Sequence, residues 1–137
     1  MNALAPKGGI SKLAILLMNN KTREKAKTKI RSLCLALPEG KEVEAWGHPT
    51  FRAGKKMFAA FGEEGEGLSL GLKMSFDRQD ELLKDSRFYP TPYAARQGWV
   101  SLRIDKTTDW AEVAKLVREA YCQVALKRML QELDAAE

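Results

Sequence analysis

Two short stretches of this chain alternate apolar and polar side chains with a period of two. In Gly67 to Met74, Leu68, Leu70 and Leu72 alternate with Ser69, Gly71 and Lys73. In Trp99 to Asp105, Val100, Leu102 and Ile104 alternate with Trp99, Ser101 and Arg103. Alternation sends successive side chains to opposite faces of a strand, so each stretch has one apolar side that must be covered. The cover has to be amphipathic, and two segments with helical periodicity supply it. From Thr22 to Leu37, the residues Ala26, Ile30, Leu33, Cys34 and Leu37 fall on one stripe, while Lys21, Lys25, Lys29 and Arg31 fall off it. From Asp109 to Leu133, Asp109 and Glu112 occupy capping-box positions, and Val113, Val117, Ala120, Tyr121, Val124 and Leu126 form the apolar side.

Shorter pieces fill the remainder. Glu42 to Trp46 and Thr50 to Ala53 have strand character and are joined by Gly47-His48-Pro49. Gly54-Lys55 turns the chain into a third strand, Lys56 to Phe61, and Glu63 to Gly67 is an acidic hairpin tip. Ser75 is placed to cap a short helix over Phe76 to Lys84, and Pro90 and Pro92 make residues 87–97 a loop with room for one short extended piece. The expected fold is α+β: one antiparallel sheet with helices 22–37 and 109–133 packed on one face. A chain of 137 residues fits a single domain with a core that needs neither metal nor disulfide. That domain is expected over 21–137. Residues 1–20, with Pro6, Gly8, Gly9 and the Asn19-Asn20 pair, are expected to form an arm or a short extra helix.

Charge narrows the choice of partner. The net charge is +5, but residues 1–31 carry eight bases and one acid, so the other 106 residues sum to −2. The basicity therefore belongs to one element, which can attract phosphates or acidic surfaces without making the whole molecule basic. Ile10 to Met18, interrupted by Ser11 and Lys12, is too short for a membrane span or a signal peptide. A cytoplasmic monomer with no membrane partner is expected, with Cys34 and Cys122 as reduced thiols buried on helix faces.

Several unusual words occur in a fixed order. They are Glu44-Ala45-Trp46-Gly47-His48-Pro49-Thr50-Phe51-Arg52, then Lys56-Met57-Phe58-Ala59, then Leu68-Ser69-Leu70 with Lys73. Asp85-Ser86-Arg87-Phe88-Tyr89-Pro90-Thr91-Pro92-Tyr93 follows, then Gly98-Trp99-Val100 with Arg103, and Asp109-Trp110. This pattern resembles the MmcQ/YjbR family of small bacterial proteins. Ala94-Ala95-Arg96-Gln97 departs from it. The resemblance implies a frataxin-like (CyaY-like) fold and a DNA-binding role, ascribed to the family because its hairpins resemble a double wing.

The residues allow two functional readings. If the leucines of both alternating strands face the helices, Arg52, Lys73, Trp99 and Arg103 share the open face of the sheet. With Lys56 and Arg96 they form a candidate nucleic-acid surface of cations beside an aromatic. In the plainer reading these cations are solvated and paired with Glu42 or Glu44, and Trp99 is a partly buried edge residue. The alternative function is a small-molecule or protein site in a cleft near Trp46, His48 and Pro49 on one side and Tyr93 to Trp99 on the other. No cofactor, metal site or catalytic residue is expected. His48, the lone histidine, is placed in a turn without a named partner, and no nucleophile elbow or phosphate loop occurs. The expected function is thus a non-enzymatic module that binds DNA weakly and without sequence preference, through the open sheet face and the basic first helix.

Overall fold

The computed structural model describes residues 12–64 and 67–137, with side chains from residue 20 onward except Glu64. Helix α1 runs from Lys12 to Leu35. It buries Ala26, Ile30 and Cys34, spaced four apart so that they share one face. The expected boundary at residue 20 falls inside this helix: residues 12–20 continue α1, and residues 1–11 lie outside the described residues.

Four strands follow as two hairpins. Strand β1 (Gly40–Ala45) pairs with β2 (His48–Ala53) across a two-residue tip, Trp46-Gly47, with φ of 51° and 81°. Two successive positive φ angles give the tight turn whose twist suits a hairpin. The turn therefore comes earlier than the expected Gly47-His48-Pro49, and His48 opens β2. Pro49 is tolerated there because pairing with β3 (Lys56–Glu64) starts only at Thr50. A bulge interrupts β2–β3 between Phe51 and Arg52, and β4 (Gly67–Lys73) completes the second hairpin.

After α2 (Phe76–Leu82), whose N-cap Ser75 accepts from the Arg78 amide, a short strand β5 (Phe88–Pro90) forms in the proline-rich loop. A 3₁₀ turn over Ala95–Gln97 leads into β6 (Trp99–Ile104). The six strands form one antiparallel sheet in the order β1-β2-β3-β4-β6-β5.

The last helical region is two helices, not one. Helix α3 (Trp110–Val124) is capped by Asp109, whose carboxylate accepts from the amides of Ala111 and Glu112. The chain is extended at Ala125 and Leu126 (ψ 144° and 159°), then α4 runs from Lys127 to Ala135. The break turns Met129 and Leu133 back to the core, with Met129 against the Gly54 turn. It also leaves Leu126 exposed, contrary to the expected stripe.

The core lies between one sheet face and the helices. Cross-strand rows such as Phe51–Ala59–Leu72–Val100 and Phe61–Leu70–Leu102–Phe88 set the sheet side. Leu70 is 0% and Leu102 2% exposed. Val113, Val117 and Tyr121 cover them from α3. Tyr121 meets Phe58 edge to face at 5.4 Å and donates its hydroxyl to the Pro38 carbonyl at 2.6 Å. Cys34 is buried as expected, but Cys122 is exposed. One residue past Tyr121, it is rotated about 100° off the buried stripe.

Candidate nucleic-acid interface

The face of the sheet opposite the helices is built in three rows. The register places Lys41, Arg52 and Met57 in the first row, with Lys73 and Trp99 farther across. The second row is Val43, Thr50, Ala60, Gly71, Ser101 and Tyr89. Gly62, Ser69 and Arg103 form the third. The short side chains of the middle of the sheet make a shallow floor between longer ones at its edges.

The cations expected on this face are held in different ways. Arg52 donates to the Lys55 carbonyl at 3.1 Å, while its Nε is buried without a partner. Lys73 donates to the Met74 carbonyl at 3.2 Å. Arg103 lies 4.6 Å from the Tyr89 ring centroid and donates to the Ser86 carbonyl at 2.8 Å. Arg96 is exposed in the 3₁₀ turn. Lys56 is different: it pairs with Ala53, on the helix side, and lines a groove with Arg128 and Met129. Lys41 joins the face and escaped the sequence reading, because β1 begins at Gly40 rather than at Glu42.

Three acids of the strands are on the other side, while Asp105, just past β6, lines a depression with Arg103 and Tyr89. Glu42 pairs in register with Phe51, Glu44 with Pro49 and Glu63 with Leu68, so all three follow the core-facing side chains. Arg31 of α1 takes Glu42 with hydrogen bonds of 2.6 and 3.0 Å, and Arg23 takes Glu63 at 2.7 Å. Arg78–Glu119, Arg87–Glu112 and Arg128–Glu39 are likewise ion pairs among helices, loops and sheet edges. Hydrogen bonds from Arg87 hold Asp85 down to about 2. Among the described residues, no ion pair involves Lys41, Arg52, Lys73, Arg96 or Arg103. The pairing with Glu42 or Glu44 allowed by the sequence does not form.

Two expected contributors fall elsewhere. Trp99 is on the face but only 9% exposed, with its ring beside Gly71, so little of it is open to stacking. The lysines of α1 lie on the helix side of the sheet: Lys29 sits 5.1 Å from the Trp110 ring and Lys27 5.9 Å from that of Phe61. They form a second positive surface, on the helix side.

The residues of the alternative cleft do not meet. Trp46 and His48 lie at the β1–β2 tip, level with Gly62 and Arg103, whereas Trp99 is the first residue at the other end of β6 and Tyr93 lies in the loop beyond β5. Three strand steps of about 4.8 Å and several residues of about 3.3 Å separate them. Trp46 is 90% exposed at its tip. His48 Nδ1 is buried without a hydrogen-bond partner, 3.9 Å from the Glu63 carboxylate that Arg23 already holds. Among the described residues, no three potential ligands cluster as a metal site, and no helix is long and apolar enough to cross a membrane.

Comparison with known proteins agrees with this architecture. The crystal structure of the Deinococcus radiodurans protein DR2400, described as a DUF419 domain, superposes with a TM-score of 0.62 at 25% identity, covering 77% of this chain and 85% of that one. A Pseudomonas syringae protein superposes with a TM-score of 0.52 at 17% identity, covering 62% and 86%, and shows the shared fold alone. No curated protein matches the sequence. The YjbR family profile matches residues 35–123, from the end of α1 through most of α3, and the chain belongs to the YjbR family.

Proposed function

We propose that this protein is a non-enzymatic module that binds nucleic acid weakly and without sequence preference, through the sheet face opposite its helices. The observation that carries this reading is the segregation of charge. Lys41, Arg52, Lys73 and Arg103 share one face or its margin and form no ion pair among the described residues, even though Asp105 lines a depression with Arg103, while Glu42, Glu44 and Glu63 belong to the other face. Gly71, Ser69 and Ser101 of the floor are buried, so phosphates would approach the unpaired cations around its rim. Binding of this kind releases counterions and positions a backbone, and it reads no bases. Backbone carbonyls steady Arg52, Lys73 and Arg103 without neutralising them, which lowers the ordering cost when a phosphate arrives.

A binding role without catalysis is supported by His48, whose nearest carboxylate is already engaged by Arg23. It is also supported by Cys34, whose burial pushes its thiol pKa far up and so disfavours the nucleophilic thiolate. The test is fluorescence anisotropy with a labelled duplex at about 50 and 200 mM salt. Dissociation constants on the order of 10⁻⁴ to 10⁻⁶ M at physiological salt, similar for unrelated sequences and steeply weaker as salt rises, are expected. Absence of binding by the folded protein at the lower salt rejects the reading.

A further inference from the structure

Tyr93 stands where a tyrosine brings the fold nothing. The Ala94 amide donates to the Thr91 carbonyl at 3.2 Å and that of Ala95 to the same oxygen at 3.0 Å, closing a tight turn with Pro92 and Tyr93 at its centre. Proline second and a positive φ third is the pattern of a type II turn, whose third position favours glycine. Here that position is Tyr93, with φ of 66°. Its side chain does not repay the strain by packing, because the residue is 105% exposed, as open as in an extended peptide. A local rule broken without a packing return points to a role outside the fold.

The surroundings say what that role is. The turn is tied to the outer sheet face by the 2.9 Å contact between the hydroxyls of Thr91 and Ser101. Arg96 is three residues on and exposed. The Lys73 ammonium lies beside Gly98, 3.1 Å from where a Cβ there would be. Neither cation has an ion-pair partner among the described residues. An open phenol ring on a loop that also carries the unpaired Arg96 and ends at Gly98 beside Lys73 suits an unstacked nucleobase with its flanking phosphates. A duplex hides its base faces within the stack, so only a single strand can use the ring. Two other aromatics are exposed among the described residues: Trp46, whose own φ is 51°, stands at a hairpin tip two residues after Glu44, and Phe76 opens α2 before Asp77, with the nearby Arg78 already ion-paired to Glu81 and Glu119.

Resting on the binding role proposed above, we infer that Tyr93 is a stacking platform that gives this face a preference for single-stranded nucleic acid over duplex. The experiment compares an oligothymidylate, an oligouridylate and a duplex of equal phosphate number, by anisotropy, for the full chain and for Tyr93→Gly and Tyr93→Trp. Tyr93→Gly should weaken binding of both single strands about 5- to 150-fold, with duplex affinity within about twofold and the salt slope unchanged. Its melting midpoint should be no lower than that of the parent, because glycine relieves the positive φ. Tyr93→Trp should restore single-strand binding. Unchanged single-strand affinity in Tyr93→Gly, or a drop in its melting midpoint, overturns the inference while leaving the binding role standing. Failure of the folded parent protein to bind any of the three probes overturns both.

Discussion

Arg31 of α1 grips Glu42 of β1 with two hydrogen bonds, at 2.6 and 3.0 Å, across the helix–sheet interface. The contact ties the edge strand to the first helix. It also holds an acid on the side of the sheet away from Arg52 and Lys73. The hydrogen bond from Arg31 lowers the Glu42 pKa below its ordinary 4.5. A carboxylate depressed in the folded state adds stability that is fully present above its unfolded pKa and is lost as pH falls through the folded value. Both side chains are partly exposed, so Glu42→Gln is expected to cost at most about 1 kcal/mol at neutral pH. The difference between parent and variant, followed by urea denaturation, should shrink below pH 4.5 and disappear in stronger acid. A difference that grows on acidification contradicts this assignment.

The core allows a larger effect. Leu70 is fully buried between β4 and the helices. Leu70→Ala should cost roughly 2–5 kcal/mol, and Leu70→Asp should leave the domain unfolded at room temperature, since an unpaired buried charge has no compensating partner. Circular dichroism and denaturant melts measure both, and a folded Leu70→Asp protein would refute the placement of that row.

Position 98 tests the entry into β6. Gly98 has φ of 95°, and a Cβ there would lie 2.4 Å from the Met74 carbonyl oxygen. Gly98→Ala should therefore destabilise by about 1–3 kcal/mol from the backbone angle alone, and by more once the clash is included. Gly71→Ala is the control, because a Cβ at Gly71 has nothing closer than 3.6 Å. Equal melting midpoints for the two variants would count against the described loop.

Mutating cations should separate the two positive surfaces. Lys73→Ala is expected to weaken duplex binding alike for all sequences, and to reduce the logarithmic salt slope by roughly 0.9 if it neutralises one phosphate. Lys25→Ala, on α1 at the helix side of the sheet, should leave affinity and slope unchanged. Anisotropy titrations over a salt series decide the matter, and the reverse ranking would move the interface to α1.

The two thiols should differ sharply. Cys34 is 0% exposed with its pKa raised by burial, whereas Cys122 is exposed on α3. A thiol-reactive chromophore is expected to titrate one cysteine in the native protein and the second only after denaturation. Loss of the native reaction in Cys122→Ser confirms which one reports. Two native thiols would mean that α1 opens readily.

Hydrophobic periodicity is a property of neighbours in the chain, so the sequence alone determined which residues of β4 and β6 face the helices and which stripe of α1 they meet. It also determined that Arg52, Lys73, Trp99 and Arg103 share the opposite side, because parity along a strand is set by the pleat. It did not determine where the acids go, since Glu42 joins Arg31 only after β1 has paired in register and α1 has packed beside it. Nor did it show that Trp99 is closed in while Tyr93 stands open, or that the last helix breaks at Ala125–Leu126 to bring Met129 back to Gly54. Only the tertiary structure decided these points, because each depends on side chains and backbone brought together from segments far apart in the chain, which no local pattern encodes.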